Sequence, residues 1–376
     1  MLLAVDPAAL RHLAAGRPTA LVSGTNGKTT TTRLLAAALG TAGPVVSNAR
    51  GANMPAGLAS ALTDGDPGAR AALEVDEAWL PAVAAAIHPE VVALLNLSRD
   101  QLDRNNEVRM LARSWREAVV TLTGTLVVAN ADDPLTAWAA RPAAQVTWVA
   151  AGQPWTADAA GCPNCGAQIA FPTDGGGWRC TACDLHRPDP DVVFTASELT
   201  LAGGRTLPLS LALPGRANRA NAAMAVTAAT PFGVDPERAL AAIARTADVD
   251  GRYRSLDIDG VKTRLLLSKN PAGWLEVLDI VSDSSGPVVV GINARIADGR
   301  DPSWLWDVPF ERLRGRLVIA SGERSHDLAV RLHYADVEHR REPDLRRAIA
   351  AAGAPAVDLV ANYTSFMGLT ASLLDD

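Results

Sequence analysis

The sequence predicts an α/β protein: a doubly wound, mainly parallel sheet over residues 1–248, a four-cysteine ribbon inserted at 158–188, and a smaller α/β domain over 249–376. Three observations predict it. Short apolar runs at 20–23, 44–47, 70–77, 91–97 and 124–129 alternate with alanine-rich stretches of helical length, as parallel strands joined by crossover helices do. Cys162, Cys165, Cys180 and Cys183 form two Cys-x-x-Cys pairs separated by fourteen residues, which is ribbon spacing. A polar stretch at 248–253 then separates the first set of strand-to-helix units from a second, shorter set.

The first run passes directly into Gly24-Thr25-Asn26-Gly27-Lys28-Thr29-Thr30 and a helix through 33–39. A glycine turn whose N–H groups converge at a helix N-terminus is a ready anion site. Lys28 would reach the outer phosphates of a nucleotide and the Thr29 hydroxyl would bind Mg²⁺. Val22 stands where the longer phosphate-loop pattern has its first glycine, leaving the shorter Gly-x-x-Gly-Lys-Thr form. An ordinary glycine turn before a helix is the plainer alternative. The chain has only three lysines, Lys28, Lys262 and Lys269, against 32 arginines, so lysine is not its general surface charge.

At 376 residues the chain exceeds one ordinary core, and 48% hydrophobic with 20% charged residues marks a globular protein. A net charge of −6 and a pI near 5.6 give no broad positive field for nucleic acid. No apolar segment approaches the roughly 20 residues that span a bilayer, and the N-terminus carries no basic, apolar leader pattern. A cytoplasmic protein without a transmembrane segment is expected. In such a reducing compartment four thiolates are expected to hold Zn²⁺ rather than form disulfides. Four cysteines complete the shell, which leaves His186 on the surface.

Residues 6–15 read as a short amphipathic helix. The amide-rich loop Asn48-Ala49-Arg50-Gly51-Ala52-Asn53-Met54 follows the second strand and is expected to face a ligand. The strand at 70–77 ends in Glu74, Asp76 and Glu77; carboxylates at a parallel strand's C-terminal end lie beside the phosphate loop, and Glu74 is the chosen Mg²⁺ ligand. Polar side chains gather likewise after 91–97 and after 124–129. Strands at 192–194 and 207–211 precede a helix opened by Leu213-Pro214-Gly215-Arg216-Ala217-Asn218. Asn218 and Asn221 share one helical face and would read an adenine or ribose, capping being the alternative role for Asn218. An alanine-rich helix ending near Ala247 closes this domain. In the second domain, strands at 264–267, 288–293, 317–320 and 357–361 alternate with helical stretches, and Arg340, Arg341, Arg346 and Arg347 read as a solvated helix face. Asp298, Asp301, Asp307, Trp304 and Trp306 crowd into ten residues, which predicts either an exposed partner surface or rings packed into the domain core.

The glycine loop, Asp100-Gln101-Leu102-Asp103-Arg104, the stretch from Leu213-Pro214-Gly215 to Asn221, Gly251-Arg252 and Lys269-Asn270-Pro271 together resemble the central and C-terminal domains of Mur ligases, which join an amine to a carboxylate through an acyl phosphate. The resemblance implies ATP and Mg²⁺ as cofactors and adds Arg252 to the nucleotide-binding residues. The phosphate loop starts too early for the N-terminal domain with which those ligases hold a UDP-linked precursor, Gln101 replaces their usual histidine, and the ribbon is foreign to them. These departures, with Asp298 to Asp307, look like the ligase-like subunits of lipid II isoglutaminyl synthases. That resemblance implies amidation of the D-glutamate α-carboxylate of lipid II, as a heterodimer with a glutamine amidotransferase subunit, with action at the inner membrane face through the lipid-linked substrate. It also implies that one aspartate completes the partner's Cys-His glutaminase site: Asp301 first, then Asp307, then Asp298. Two other readings fit part of the sequence: an amino-acid ligase of the Mur or folylpolyglutamate type, and a nucleotide-switched scaffold whose ribbon binds protein or nucleic acid.

Overall fold

The computed structural model describes residues 6–48, 52–99, 107–172, 177–247 and 253–373. The chain divides into two compact units: the first runs to Ala247, and the second takes the rest of the chain together with Arg99.

In the first unit a short helix α1 (Ala9–Ala14) precedes six parallel strands: β1 (Thr19–Ser23), β2 (Val45–Ser47), β3 (Arg70–Glu74), β4 (Val91–Leu94), β5 (Leu126–Asn130) and β6 (Gln145–Val149). They lie in the order β2-β3-β1-β4-β5-β6. β1 and β4 are buried at every position, which is why they read as unbroken apolar runs. The crossovers are α2 (Lys28–Leu39), α3 (Pro55–Asp64), α4 (Leu80–Ile87), α5 (Glu107–Thr121) and α6 (Pro134–Ala140). From β1 the chain builds β2 and β3 on one side and β4 to β6 on the other. The switch point is therefore the crevice beyond the C-terminal ends of β1 and β4, where ligands of doubly wound sheets bind.

The cysteine insertion contributes a hairpin of β7 (Ile169–Ala170) and β8 (Arg179–Cys180). A small antiparallel sheet of β9 (Val193–Phe194), β10 (Glu198–Thr200) and β11 (Thr206–Pro208) follows, then α7 (Arg216–Ala229) and α8 (Pro236–Ala244). Trp178, Cys162, Cys180, Ile169 and Leu185 are buried together against Ala137, so the ribbon has a core of its own that rests on α6.

The second unit holds a sheet ordered β12-β13-β17-β14-β15-β16, where β12 is Tyr253–Ile258, β13 Val261–Leu267, β14 Val288–Gly291, β15 Val318–Ser321, β16 His339–Arg341 and β17 Ala356–Ala361. All pairs are parallel except the β12–β13 hairpin. Its two-residue turn, Asp259-Gly260, has positive φ at both positions, as a primed turn requires. Helices α9 (Pro271–Ser282), α10 (Ser325–Tyr334), α11 (Leu345–Ala351) and α12 (Tyr363–Ser372) complete the unit. Trp274 and Phe310 meet edge to face, centroids 5.1 Å apart, in the core between α9 and the sheet.

Several expectations need correction. β3 stops at Glu74, so Asp76 and Glu77 lie beyond the strand. Tyr253 opens β12 and is no part of a junction. Arg340 and Arg341 are on the edge strand β16 rather than on a helix, where their charge blunts an edge that could otherwise pair with another chain. The two tryptophans divide between the alternatives: Trp304 is 5% exposed and packs in the core, whereas Trp306 is 55% exposed.

Candidate functional site

The loop after β1 is shaped by what packs on either side of it. At Gly24 (φ 150°) a Cβ would fall 2.8 Å from the Leu95 Cβ and 3.0 Å from the Asn96 nitrogen, so the continuation of β4 excludes any side chain. Thr25 N–H donates to the Asn96 carbonyl at 2.9 Å, and Asn26 N–H to Asn96 Oδ1 at 2.9 Å. The Thr25 hydroxyl donates to the Ser98 carbonyl and accepts from the Ser98 N–H, both at 3.0 Å. Gly27, left-handed at φ 85°, is the N-cap of α2; a Cβ there would lie 2.6 Å from Asn221 Oδ1 on α7. The Thr31 hydroxyl donates to that same Oδ1 at 3.2 Å. The loop is thus held from β4 on one side and from α7 on the other.

What it presents fits a polyphosphate. Lys28, Thr29 and Thr30 are the first three residues of α2, so their N–H groups have no carbonyl within the helix to donate to. No side chain caps this end and no acid occupies its first turn. The Thr29 hydroxyl has no hydrogen-bond partner among the described residues and is available to a cation. Lys28 is buried, its Nζ donating to the Gly24 carbonyl at 2.6 Å and to Glu77 Oε2 at 3.0 Å.

Three carboxylates end the β3 segment, and they do different things. Glu74 is buried, with Oε1 accepting from Asn53 Nδ2 at 3.1 Å and no basic partner among the described residues, a donor set suited to a hard divalent cation. Asn48 braces its backbone, accepting from the Glu74 N–H at 2.8 Å and donating to the Glu74 carbonyl at 2.9 Å. Asp76 accepts from the Ala78 N–H. Glu77, one of the three acids from which the sequence reading chose Glu74, is the one that meets Lys28. The remainder of the amide-rich loop, residues 49–51, lies outside the described residues, as do Asp100, Gln101, Leu102, Asp103, Arg104 and Arg252.

Asn218 donates to the Pro214 carbonyl at 2.6 Å; the N-cap of α7 is Gly215, so Asn218 does not cap it. On the far side of β4, the fully buried Asp133 caps α6 and also accepts from Leu97 N–H at 2.8 Å and Gln153 Nε2 at 3.0 Å. Burial pushes its carboxyl up to about 6 against the opposing pull of the Leu97, Thr136 and Leu135 N–H groups.

The four cysteine sulfurs all lie within 4.8 Å of one another, with Cys162–Cys183 at 3.7 Å and Cys165–Cys180 at 3.5 Å. Those separations are far beyond an S–S bond of about 2.05 Å. They match the edges of a tetrahedron about 3.8 Å on a side, which Zn–S bonds of about 2.3 Å produce. The Ala182 and Cys183 N–H groups hold the Cys180 thiol down to about 6, whereas Cys165, pulled down by the Ala167 N–H, is pushed up to about 12 by Cys180 and the other sulfurs. Four thiolates this close repel one another unless a cation sits among them, so the donor set fits Zn²⁺. His186 is exposed, turned to the Asp184 carbonyl. The ribbon is tied to the sheet rim: Trp178 Nε1 donates to the Ala131 carbonyl at 2.9 Å and Arg187 pairs with Asp132 at 2.5 Å.

In the second unit the three aspartates separate by burial. Asp298 is buried and committed, its Oδ1 accepting from the Thr364 N–H at 2.9 Å and its Oδ2 from the Thr364 hydroxyl. Asp301 is exposed and caps the 3₁₀ turn Pro302–Asp307 through Ser303 N–H at 2.9 Å. Asp307, at the far end of that turn, is exposed as well. Trp306 stacks edge to face on the exposed Tyr334 at 5.5 Å.

Comparisons with known proteins agree with this architecture. The Mur ligase middle domain family matches residues 22–229, and the family described as MurT ligase C-terminal matches residues 267–366. The chain is 28% identical over 341 residues to the lipid II isoglutaminyl synthase (glutamine-hydrolyzing) subunit MurT of Staphylococcus aureus strain COL, covering 84% of this chain and 77% of that protein. It is 29% identical over 359 residues to the MurT subunit of Streptococcus pneumoniae strain ATCC BAA-255 / R6, covering 87% and 79%. Among solved structures, a pseudomurein peptide ligase type C from Methanothermus fervidus superposes with a TM-score of 0.71 at 18% identity, over 94% of this chain and 77% of that one, a likeness of fold. With the middle-domain match running over more than half of its residues, the chain belongs to the Mur ligase family and is a homologue of its MurT subunits.

Proposed function

We propose that this chain is the carboxylate-activating subunit of a lipid II isoglutaminyl synthase. It uses ATP to convert the α-carboxylate of D-glutamate in the lipid II stem peptide into an acyl phosphate, which ammonia, released from glutamine by an amidotransferase subunit, resolves to D-isoglutamine. One observation carries the reading: a single chain joins an uncapped phosphate-type loop to a segment that matches the MurT ligase C-terminal family. The names of its relatives support the substrate and the amide donor.

The chemistry sets what the residues must do. A carboxylate is a poor electrophile, so its oxygen must first accept a phosphoryl group, and negative charge then spreads over the transferring oxygens. Lys28 and the N–H groups of Lys28, Thr29 and Thr30 offset that charge in a water-poor loop, where fixed donors act most strongly. Gly24, Thr25, Asn26 and Gly27 give the loop its curvature, and Asn221 holds it from α7, with Asn218 one turn earlier on the same helix. Thr29 and Glu74 are the residues that would hold Mg²⁺, which would supply positive charge against the transferring phosphoryl group. Cys162, Cys165, Cys180 and Cys183 would hold Zn²⁺ in a closed, structural site. At neutral pH free ammonia is almost entirely ammonium, so delivery from a docked glutaminase supplies the nucleophile in its reactive form. Asp301 serves that partner by holding its histidine in the tautomer that activates the cysteine.

The test is to co-purify the chain with a glutamine amidotransferase encoded beside it and to weigh lipid II after incubation with ATP and glutamine. The expected product carries nitrogen in place of one carboxylate oxygen. Unchanged lipid II, or addition of a whole amino acid to a UDP-linked peptide without any partner, overturns the reading.

A further inference from the structure

Lys28 does not wait in the loop as a free cation. Its Nζ lies 3.0 Å from Glu77 Oε2 and 2.6 Å from the Gly24 carbonyl, and both charged side chains are almost wholly buried, 6% and 12% exposed. Glu77 is fixed from two directions. Its own carbonyl accepts a 2.9 Å hydrogen bond from Trp115 Nε1, a fully buried ring on α5, and two residues earlier Val75 N–H donates to the Val22 carbonyl of β1. The carboxylate therefore cannot follow the lysine far, and an ammonium has three N–H donors, of which two are spent within the protein.

The geometry points to Glu77 as a positioning residue that sets the affinity of the loop for nucleotide, by holding Lys28 in a buried ion pair that phosphate must break or share. This rests on the nucleotide-site reading above. The physical argument is one of competition. A buried pair of opposite charges is a strong contact, and a second anion that comes within reach of the same ammonium either displaces the carboxylate or stands close to it and is repelled. In either case Glu77 works against polyphosphate. Small anions gain only the helix N–H groups, whereas a nucleotide with further contacts gains enough to open the pair; after reaction Glu77 recaptures Lys28 and helps expel ADP. Glu74, by contrast, has no cation beside it among the described residues, so the two acids divide the work: one for metal, one for lysine.

The test is calorimetric titration of the full chain with ADP, first without Mg²⁺ and then with it, for wild type, Glu77→Gln and Glu77→Asp. Removing the carboxylate's charge is expected to tighten ADP binding about five- to tenfold without Mg²⁺, the size of one ordinary net hydrogen bond, with slower ADP release. Glu77→Asp, which keeps the charge but withdraws it by one methylene, is expected to tighten binding by less, and it stands in for Glu77→Gln should that variant not fold. A merely structural glutamate predicts the opposite direction, because a loosened loop binds more weakly. Unchanged or weakened ADP affinity in a folded variant overturns the proposal, as does a loss seen only with Mg²⁺, which would make Glu77 a metal ligand. Wild-type protein that binds no nucleotide overturns instead the reading on which this rests.

Discussion

Lys28 and Gly27 test the loop at the scale of single side chains. Lys28→Ala removes the ammonium at the start of α2, and loss of one preorganised charge-stabilising group costs about 10²–10³ in turnover. Amidation by the purified complex is expected to fall by that factor; the substitution also leaves Glu77 buried without its cation, so the melting temperature is expected to drop, and activity is compared where circular dichroism shows the variant folded. Product accumulating at the wild-type pace would contradict the assignment. Gly27 makes a finer test. An alanine there must adopt φ near 85° and place its Cβ 2.6 Å from Asn221 Oδ1. The left-handed strain costs about 1–3 kcal/mol. The clash is with the tip of a side chain that can move, so Gly27→Ala is expected to weaken ADP binding, and Gly27→Ala with Asn221→Ala to recover part of it, the strain remaining. Calorimetry of the single and double variants separates the two contributions.

At the scale of elements, the ribbon is a buttress for the sheet rim. Trp178 reaches the Ala131 carbonyl and Arg187 reaches Asp132, immediately before Asp133, which in turn holds the Leu97 N–H beside the phosphate loop. Chelation of the Zn²⁺ proposed for the ribbon, or Cys180→Ser, is therefore expected to lower the melting temperature and raise hydrogen exchange at 130–133 more than in β1. Equal exchange at both places would reduce the ribbon to an independent appendage. The ribbon and the inner strands were legible for the same reason: cysteine spacing and fully buried parallel strands leave a local mark. β6 and β16 left little, being short edge strands of mixed polarity. The β12–β13 hairpin leaves its mark in Asp259-Gly260, a primed-turn dipeptide. Glu77 was not legible, because which of three neighbouring acids meets Lys28 depends on where β3 ends and on Trp115 from another helix, neither of which is encoded nearby in sequence. The same holds for Trp304 and Trp306, two residues apart but divided between core and surface by one 3₁₀ turn.

For the whole molecule, the proposed function assigns its two half-reactions to different units of the chain, and that makes them separable. On that proposal, activation of a carboxylate would use the loop, Lys28 and Glu74, all in the first unit, and support of a partner's glutaminase would use an exposed acid in the second. Of its three candidates, Asp298 has both oxygens committed to Thr364, so its loss is expected to disturb the fold of that loop rather than one activity. Asp301 is exposed and uses Oδ1 on Ser303, a contact that an asparagine oxygen reproduces. Asp301→Asn should therefore keep the 3₁₀ turn and the complex while removing the negative charge a partner's histidine requires. Glutamine-dependent amidation is expected to drop by about 10⁴, as it does when the acid that orients a catalytic histidine becomes an amide. Amidation driven by added ammonium salt should stay within twofold of wild type, roughly the scatter of a surface substitution far from the chemistry. Parallel loss of both activities would place Asp301 in the fold or in carboxylate activation; loss of neither would pass the role to Asp307, the other exposed acid of the turn.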